Sequence, residues 1–157
     1  MNKIIPHILL LLILSVISIA AIQVTEECDA TALKKELKQK LKPDFKYDSS
    51  KTTRFTYKNK EQTKEIEIPL YMGEKYRFAF NTAGLAEGIE IGVYSKPTGH
   101  RKRELIYKLE KKEGQHLYSF DPEKSKKMYI TYTIPAVEEE ALRGCVIFLL
   151  GYKVSMF

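Results

Sequence analysis

The chain is 157 residues long and 44% hydrophobic, with 26 Lys and Arg against 20 Asp and Glu. That length has room for one domain. The basic excess favours acidic surfaces such as anionic lipid headgroups or acidic glycans, but it is not extreme and is split among several clusters.

The N-terminus opens with a short basic stretch, Lys3, followed by an apolar run from Ile8 to Ile22 broken only by Ser15 and Ser18. Such a run suits the apolar segment of a signal peptide and falls short of the roughly 20 residues of a membrane span. Ser18, Ala20 and Ala21 offer a peptidase site, so residues 1–21 read as a signal peptide, with an uncleaved anchor as the alternative. Either way the remainder leaves the cytoplasm. This points to a periplasmic or secreted protein and weighs against nucleic acid as a partner. Removing Lys3 takes the basic residues from 26 to 25, against 20 acidic.

Residues 22–50 read as a helix and a connector. Between Asp29 and Lys42, the residues Leu33, Leu37 and Leu41 recur at steps of four, a narrow apolar stripe on an otherwise charged helix. Asp29 or Thr31 caps its start and Pro43 stops it. So thin a stripe buries little alone, and the helix must lie against something. A helix lying on a membrane surface is the sharper reading, but no Trp or Phe sits on its apolar face. Cys28 follows Thr25-Glu26-Glu27 rather than small residues directly after an apolar run, which disfavours lipid attachment. An exported chain with two cysteines is expected to pair them, here Cys28 with Cys145.

From Thr52 the apolar period changes to two, and residues 51–157 read as a β-domain. Phe55 and Tyr57 alternate with polar residues, as do Ile66, Ile68 and Leu70. Tyr76, Phe78 and Phe80 follow the turn Met72-Gly73-Glu74, and Ile89, Ile91 and Val93 follow Gly88. Leu105 to Leu109 and Leu117 to Phe120 are shorter candidates, and Met128, Ile130, Tyr132 and Ile134 alternate again. The last run, Cys145 to Leu150, is continuous and fits a strand covered on both faces. About eight short strands at even spacing predict a mainly β chain: an antiparallel, jelly-roll-like β-sandwich preceded by one helix.

Little in the sequence carries chemistry. His100 and His116 lack partners at metal-ligand spacing, no Gly-x-Ser-x-Gly elbow or phosphate loop is present, and neither cysteine has an activating neighbour. The expectation is therefore no catalytic residue, no cofactor and no metal; calcium held by Asp121 and Glu123 is a weaker option. Tyr57, Tyr107, Tyr118 and Tyr129 would form a sugar-stacking platform only if they project outward, and the chain has no Trp. The candidate contacts for an anion or an acidic partner are His100, Arg101, Lys102 and Arg103 in one loop and Lys34, Lys35 and Lys38 on the helix.

The span Ile68-Pro69-Leu70-Tyr71-Met72-Gly73-Glu74-Lys75-Tyr76-Arg77-Phe78-Ala79-Phe80 shows a strand, a Gly turn and an alternating aromatic strand. With Gly88 to Tyr94 and Gly114 to Phe120 after it, the region 64–152 resembles bacterial pre-peptidase C-terminal sandwich domains. The resemblance implies a small, non-catalytic accessory sandwich of an exported protein and no specific ligand. Together these readings predict an exported, non-catalytic β-sandwich that binds a protein or an envelope component. The alternative is a glycan- or lipid-binding module with a small-ligand site.

Overall fold

A computed structural model describes residues 28–85, 88–124, 126–138 and 143–154. The expected signal peptide, 1–21, lies outside the described residues. Helix α1 spans Ala30–Leu37 and tightens into a 3-10 turn at Lys38–Leu41. Asp29 caps it, its Oδ1 accepting from the Thr31 and Ala32 N–H groups at 3.1 and 3.0 Å. Thr31, the other candidate cap, already lies inside the helix.

Eight strands follow: β1 (Lys46–Thr56), β2 (Gln62–Ile68), β3 (Glu74–Asn81), β4 (Glu90–Tyr94), β5 (Leu105–Lys108), β6 (Leu117–Phe120), β7 (Met128–Ile134) and β8 (Arg143–Val154). They form two four-stranded antiparallel sheets, ordered β1-β8-β3-β6 and β2-β7-β4-β5. The nested pairs β1·β8, β2·β7, β3·β6 and β4·β5 are one long hairpin rolled into a sandwich, the connectivity of a jelly roll.

The main core fills the space between the sheets. Phe55, Ile66, Phe78, Phe80, Val93, Ile130, Tyr132 and Phe148 are among its buried members, and Phe78 meets Phe148 edge-on at 5.3 Å. Strand β8 shows why its run is continuous. Val146, Phe148 and Leu150 face this core, while Ile147 and Leu149 face outward into a second cluster with Ala79, Leu37 and Leu41. The leucine stripe of α1 thus covers the outer face of the first sheet. Gly151 permits the closest approach, since a Cβ there would run into Leu41 and Phe45. Each leucine buried this way contributes about 1.5–3 kcal/mol. Cys28 is bonded to Cys145, 117 positions away, tying the helix entrance to the head of β8. Among the described residues no helix covers the outer face of the second sheet.

Candidate binding surface

The strand pairings decide which connections share an end of the sandwich. Ile68 pairs with Met128, Tyr94 with Tyr129 and Leu105, Phe78 with Phe120, Glu74 with Val154 and Lys46 with Tyr152. One end therefore collects the segment 42–45, the β2–β3 turn 69–73, the β4–β5 loop 95–104 and the β6–β7 loop 121–127. Residues distant in sequence meet there only because of strand order.

This end is basic. Lys42, Lys46 and Lys75 lie on the side of the first sheet, Lys96, Arg101 and Lys102 in the β4–β5 loop, and Lys124 and Lys126 in the β6–β7 loop. None of these eight forms an ion pair among the described residues; of the acids there, Asp48, Glu104 and Glu123 form none either, and Glu74 accepts from the Tyr76 hydroxyl. Asp44 is taken by Lys153 at 3.6 Å and Glu67 by Lys127 at 2.7 Å. The connections at this end carry Lys42, Lys96, Arg101, Lys102, Arg103, Lys124, Lys126 and Lys127 against Asp44, Glu104, Asp121 and Glu123, whereas those at the opposite end balance: the described bases Lys58, Lys60, Lys111 and Lys112 stand against Glu61, Glu110, Glu113 and Glu138.

The helix lysines extend the surface along one face. Lys34, Lys35 and Lys38 line a groove of about 520 Å³ with Thr31, Ser50 and Thr52 from the outward side of β1. The Lys34 and Lys38 ammonium groups sit 5.2 and 4.9 Å from the Tyr47 ring centroid. The Tyr47 phenol is held below its usual value, first by its hydrogen bond with Ser50 and then by the Lys34 charge.

The β4–β5 loop is a built structure rather than a free hairpin. Ser95 and Glu104 close it, the His100 N–H donates to the Pro97 carbonyl, and the Arg103 N–H donates to the His100 carbonyl at 3.1 Å. His100 Nδ1 accepts from the Lys102 N–H at 3.0 Å, and His100, Arg101 and Lys102 are exposed. Arg103 differs from its expected role as an anion contact. Its Nη2 donates to Thr131 Oγ1 at 2.6 Å and to Glu65 Oε2 at 3.2 Å, and its guanidinium lies 3.3 Å from the Tyr94 ring centroid. Glu65 also accepts from the Thr98 N–H and hydroxyl. Burial alone would raise the Glu65 carboxyl, but the hydrogen bonds from Thr98 and Thr131 and the Arg103 charge hold it low. Arg103 thus fastens the loop to the outer face of the second sheet.

The helix lysines and the loop bases lie on opposite faces and do not form one patch. They are joined only over the basic end. The tyrosine platform does not assemble: Tyr57 and Tyr118 are buried, Tyr107 stacks on Phe120 at 4.5 Å, and Tyr129 is half-buried near Glu67. Asp121, weighed as a calcium ligand, gives both oxygens to Arg77 at 2.7 Å. Among the described residues no three His, Cys, Asp or Glu side chains are placed to hold a metal ion.

Sequence reasoning did not gather the turn 69–73 into this surface. Tyr71 is 73% and Met72 92% exposed there. The Tyr71 N–H donates to Tyr76 Oη at 3.0 Å, and that hydroxyl donates to Glu74 Oε2 at 2.7 Å. Gly73, at φ 90°, supplies the left-handed step of the turn. No protein-family model, curated protein or solved structure matches the chain.

Proposed function

We propose that the chain is an exported, non-catalytic β-sandwich protein that binds an anionic component of the envelope through its basic end. One observation carries this reading: among the described residues eight bases without ion pairs gather at one end, whose connections hold eight bases against four acids, while the connections at the other end are charge-balanced. Such asymmetry concentrates positive potential where a partner arrives and speeds its capture at low salt. The disulfide suits an oxidising compartment outside the cytoplasm. The resemblance of residues 64–152 to accessory sandwich domains supports a binding role without catalysis.

The test uses two probes, heparin as an acidic glycan and phosphatidylglycerol vesicles as an anionic surface. The parent protein is expected to be retained by at least one of them and released by salt. Lys96→Glu/Arg101→Glu/Lys102→Glu should weaken retention on that probe while leaving the melting temperature close to the parent's. Equal retention of the two proteins would reject the basic end as the contact.

A further inference from the structure

We infer that the basic end is a membrane-docking surface, in which the β2–β3 turn sets Tyr71 and Met72 into the interface of an anionic bilayer. The inference rests on the anion-binding reading above and names its partner as lipid.

Four large apolar side chains are exposed among the described residues: Tyr47 at 41%, Leu105 at 53%, Tyr71 at 73% and Met72 at 92%. All four belong to the basic end, since Tyr47 pairs with Gly151 near the start of β1 and Leu105 opens β5 opposite Tyr94. Apolar residues scattered singly over a surface are ordinary, but their confinement to the end that also carries the unpaired bases is not. Tyr71 shares a groove with Asp48, Lys51 and Glu67, and the unpaired bases stand elsewhere on the same end; an anionic bilayer that meets this end rewards both, the bases at the headgroups and the apolar turn at the acyl boundary. A tyrosine suits that boundary because its ring is apolar and its hydroxyl is wet.

The exposure of Tyr71 and Met72 favours lipid over the alternatives. An acidic glycan satisfies the bases but leaves Met72 in water. A folded protein partner needs a matching pocket for each of these two exposed side chains, whereas lipid yields to them. The turn is already fixed by the Tyr71, Tyr76 and Glu74 hydrogen bonds, so little ordering is needed on contact.

The chain contains no Trp, so Tyr71→Trp places a single reporter in the turn. It reads the turn itself, whatever other part of the chain meets the lipid. With phosphatidylglycerol vesicles carrying brominated acyl chains, its emission should shift to the blue and be quenched. Asn59→Trp, in the β1–β2 connection at the opposite end, should do neither. Tyr71→Ser/Met72→Ser should lower vesicle partition on the order of tenfold and leave retention on heparin unchanged. An unshifted Tyr71→Trp on vesicles that the protein does bind would overturn insertion and leave the charge reading standing. Retention on heparin with no binding to vesicles would overturn the lipid assignment alone. Failure on both probes would overturn both.

Discussion

His116 Nε2 stands 2.8 Å from Glu36 Oε1, joining the entrance of β6 to the last turn of α1 across 80 positions of sequence. The other Glu36 oxygen accepts from Asn81 Nδ2 at 3.0 Å, and the same amide donates to the Leu33 carbonyl at 3.1 Å. A polar latch therefore sits beside the leucine contacts that hold the helix on the first sheet.

The latch predicts acid sensitivity. The hydrogen bond from His116 is the largest cause holding the Glu36 carboxyl below its ordinary 4.5, with Asn81 adding to it against a burial effect. A carboxyl lowered on folding stabilises the fold above its unfolded value, and that stabilisation is lost as pH falls through the folded value. Thermal melts should therefore show stability falling below pH 4.5. Glu36→Gln should make that fall shallower but not flat, because Glu65 and Glu67 are lowered as well. An unchanged acid profile in Glu36→Gln would remove the latch from the account.

The disulfide should be the largest single covalent contribution to stability. Closing a loop of 117 positions is worth about 4–5 kcal/mol on chain-entropy grounds. Cys28→Ala is expected to lower the unfolding free energy by up to that amount, and reductant should have the same effect on the parent in urea titrations. A loss below about 1 kcal/mol would mean that the leucine contacts and the latch hold the helix without it.

Two neighbouring arginines should behave differently. Arg103→Ala removes the anchor of the β4–β5 loop and should cost about 1.5–3 kcal/mol, leaving Glu65 short of a partner. Arg101→Ala, at an exposed side chain with no partner among the described residues, should change stability by less than about 0.5 kcal/mol. It should instead weaken binding to the anionic probes. Paired urea titrations and retention measurements on the two variants separate an anchoring role from a contacting one.

A third site concerns the core. Tyr132 packs edge-on against Phe55 at 5.5 Å, and its buried hydroxyl lies by that of Thr53, neither making a well-formed hydrogen bond among the described residues. Burial pushes its phenol well above the usual value. Tyr132→Phe should be neutral or stabilise by about 1 kcal/mol, because it removes a desolvated group without removing volume. A clear destabilisation in urea would reveal a hydrogen bond made by that hydroxyl in solution.

The strands were legible where one face is buried. Met128, Ile130, Tyr132 and Ile134 alternate because only one side of β7 meets the core, and the unbroken run in β8 reflects burial on both sides. The start of β1 was not legible. Apart from the exposed Tyr47, Lys46 to Ser50 are polar because this part of an edge strand buries almost nothing, so the strand begins ahead of the apolar signal at Phe55. The loop bases and helix lysines could be named from composition, but the fastening of Arg103 to Glu65 spans 38 positions and follows from the fold alone. The basic end is a property of strand order. Its charges come from segments spread between residues 42 and 126, and periodicity says nothing about which turns face the same way.

The bond between Cys28 and Cys145 also sets a mechanical path through the molecule. Tension applied between the two chain ends enters at Cys28, crosses the sulfur bridge and leaves along β8. Strands β1 to β7 lie inside the covalent loop and outside the covalent path; of these only β1 and β3, paired to β8, feel the pull through their hydrogen bonds. Because β8 ends beside Lys46 and Glu74, that pull leaves the molecule at the basic end, while the β4–β5 loop of the second sheet stands outside its path.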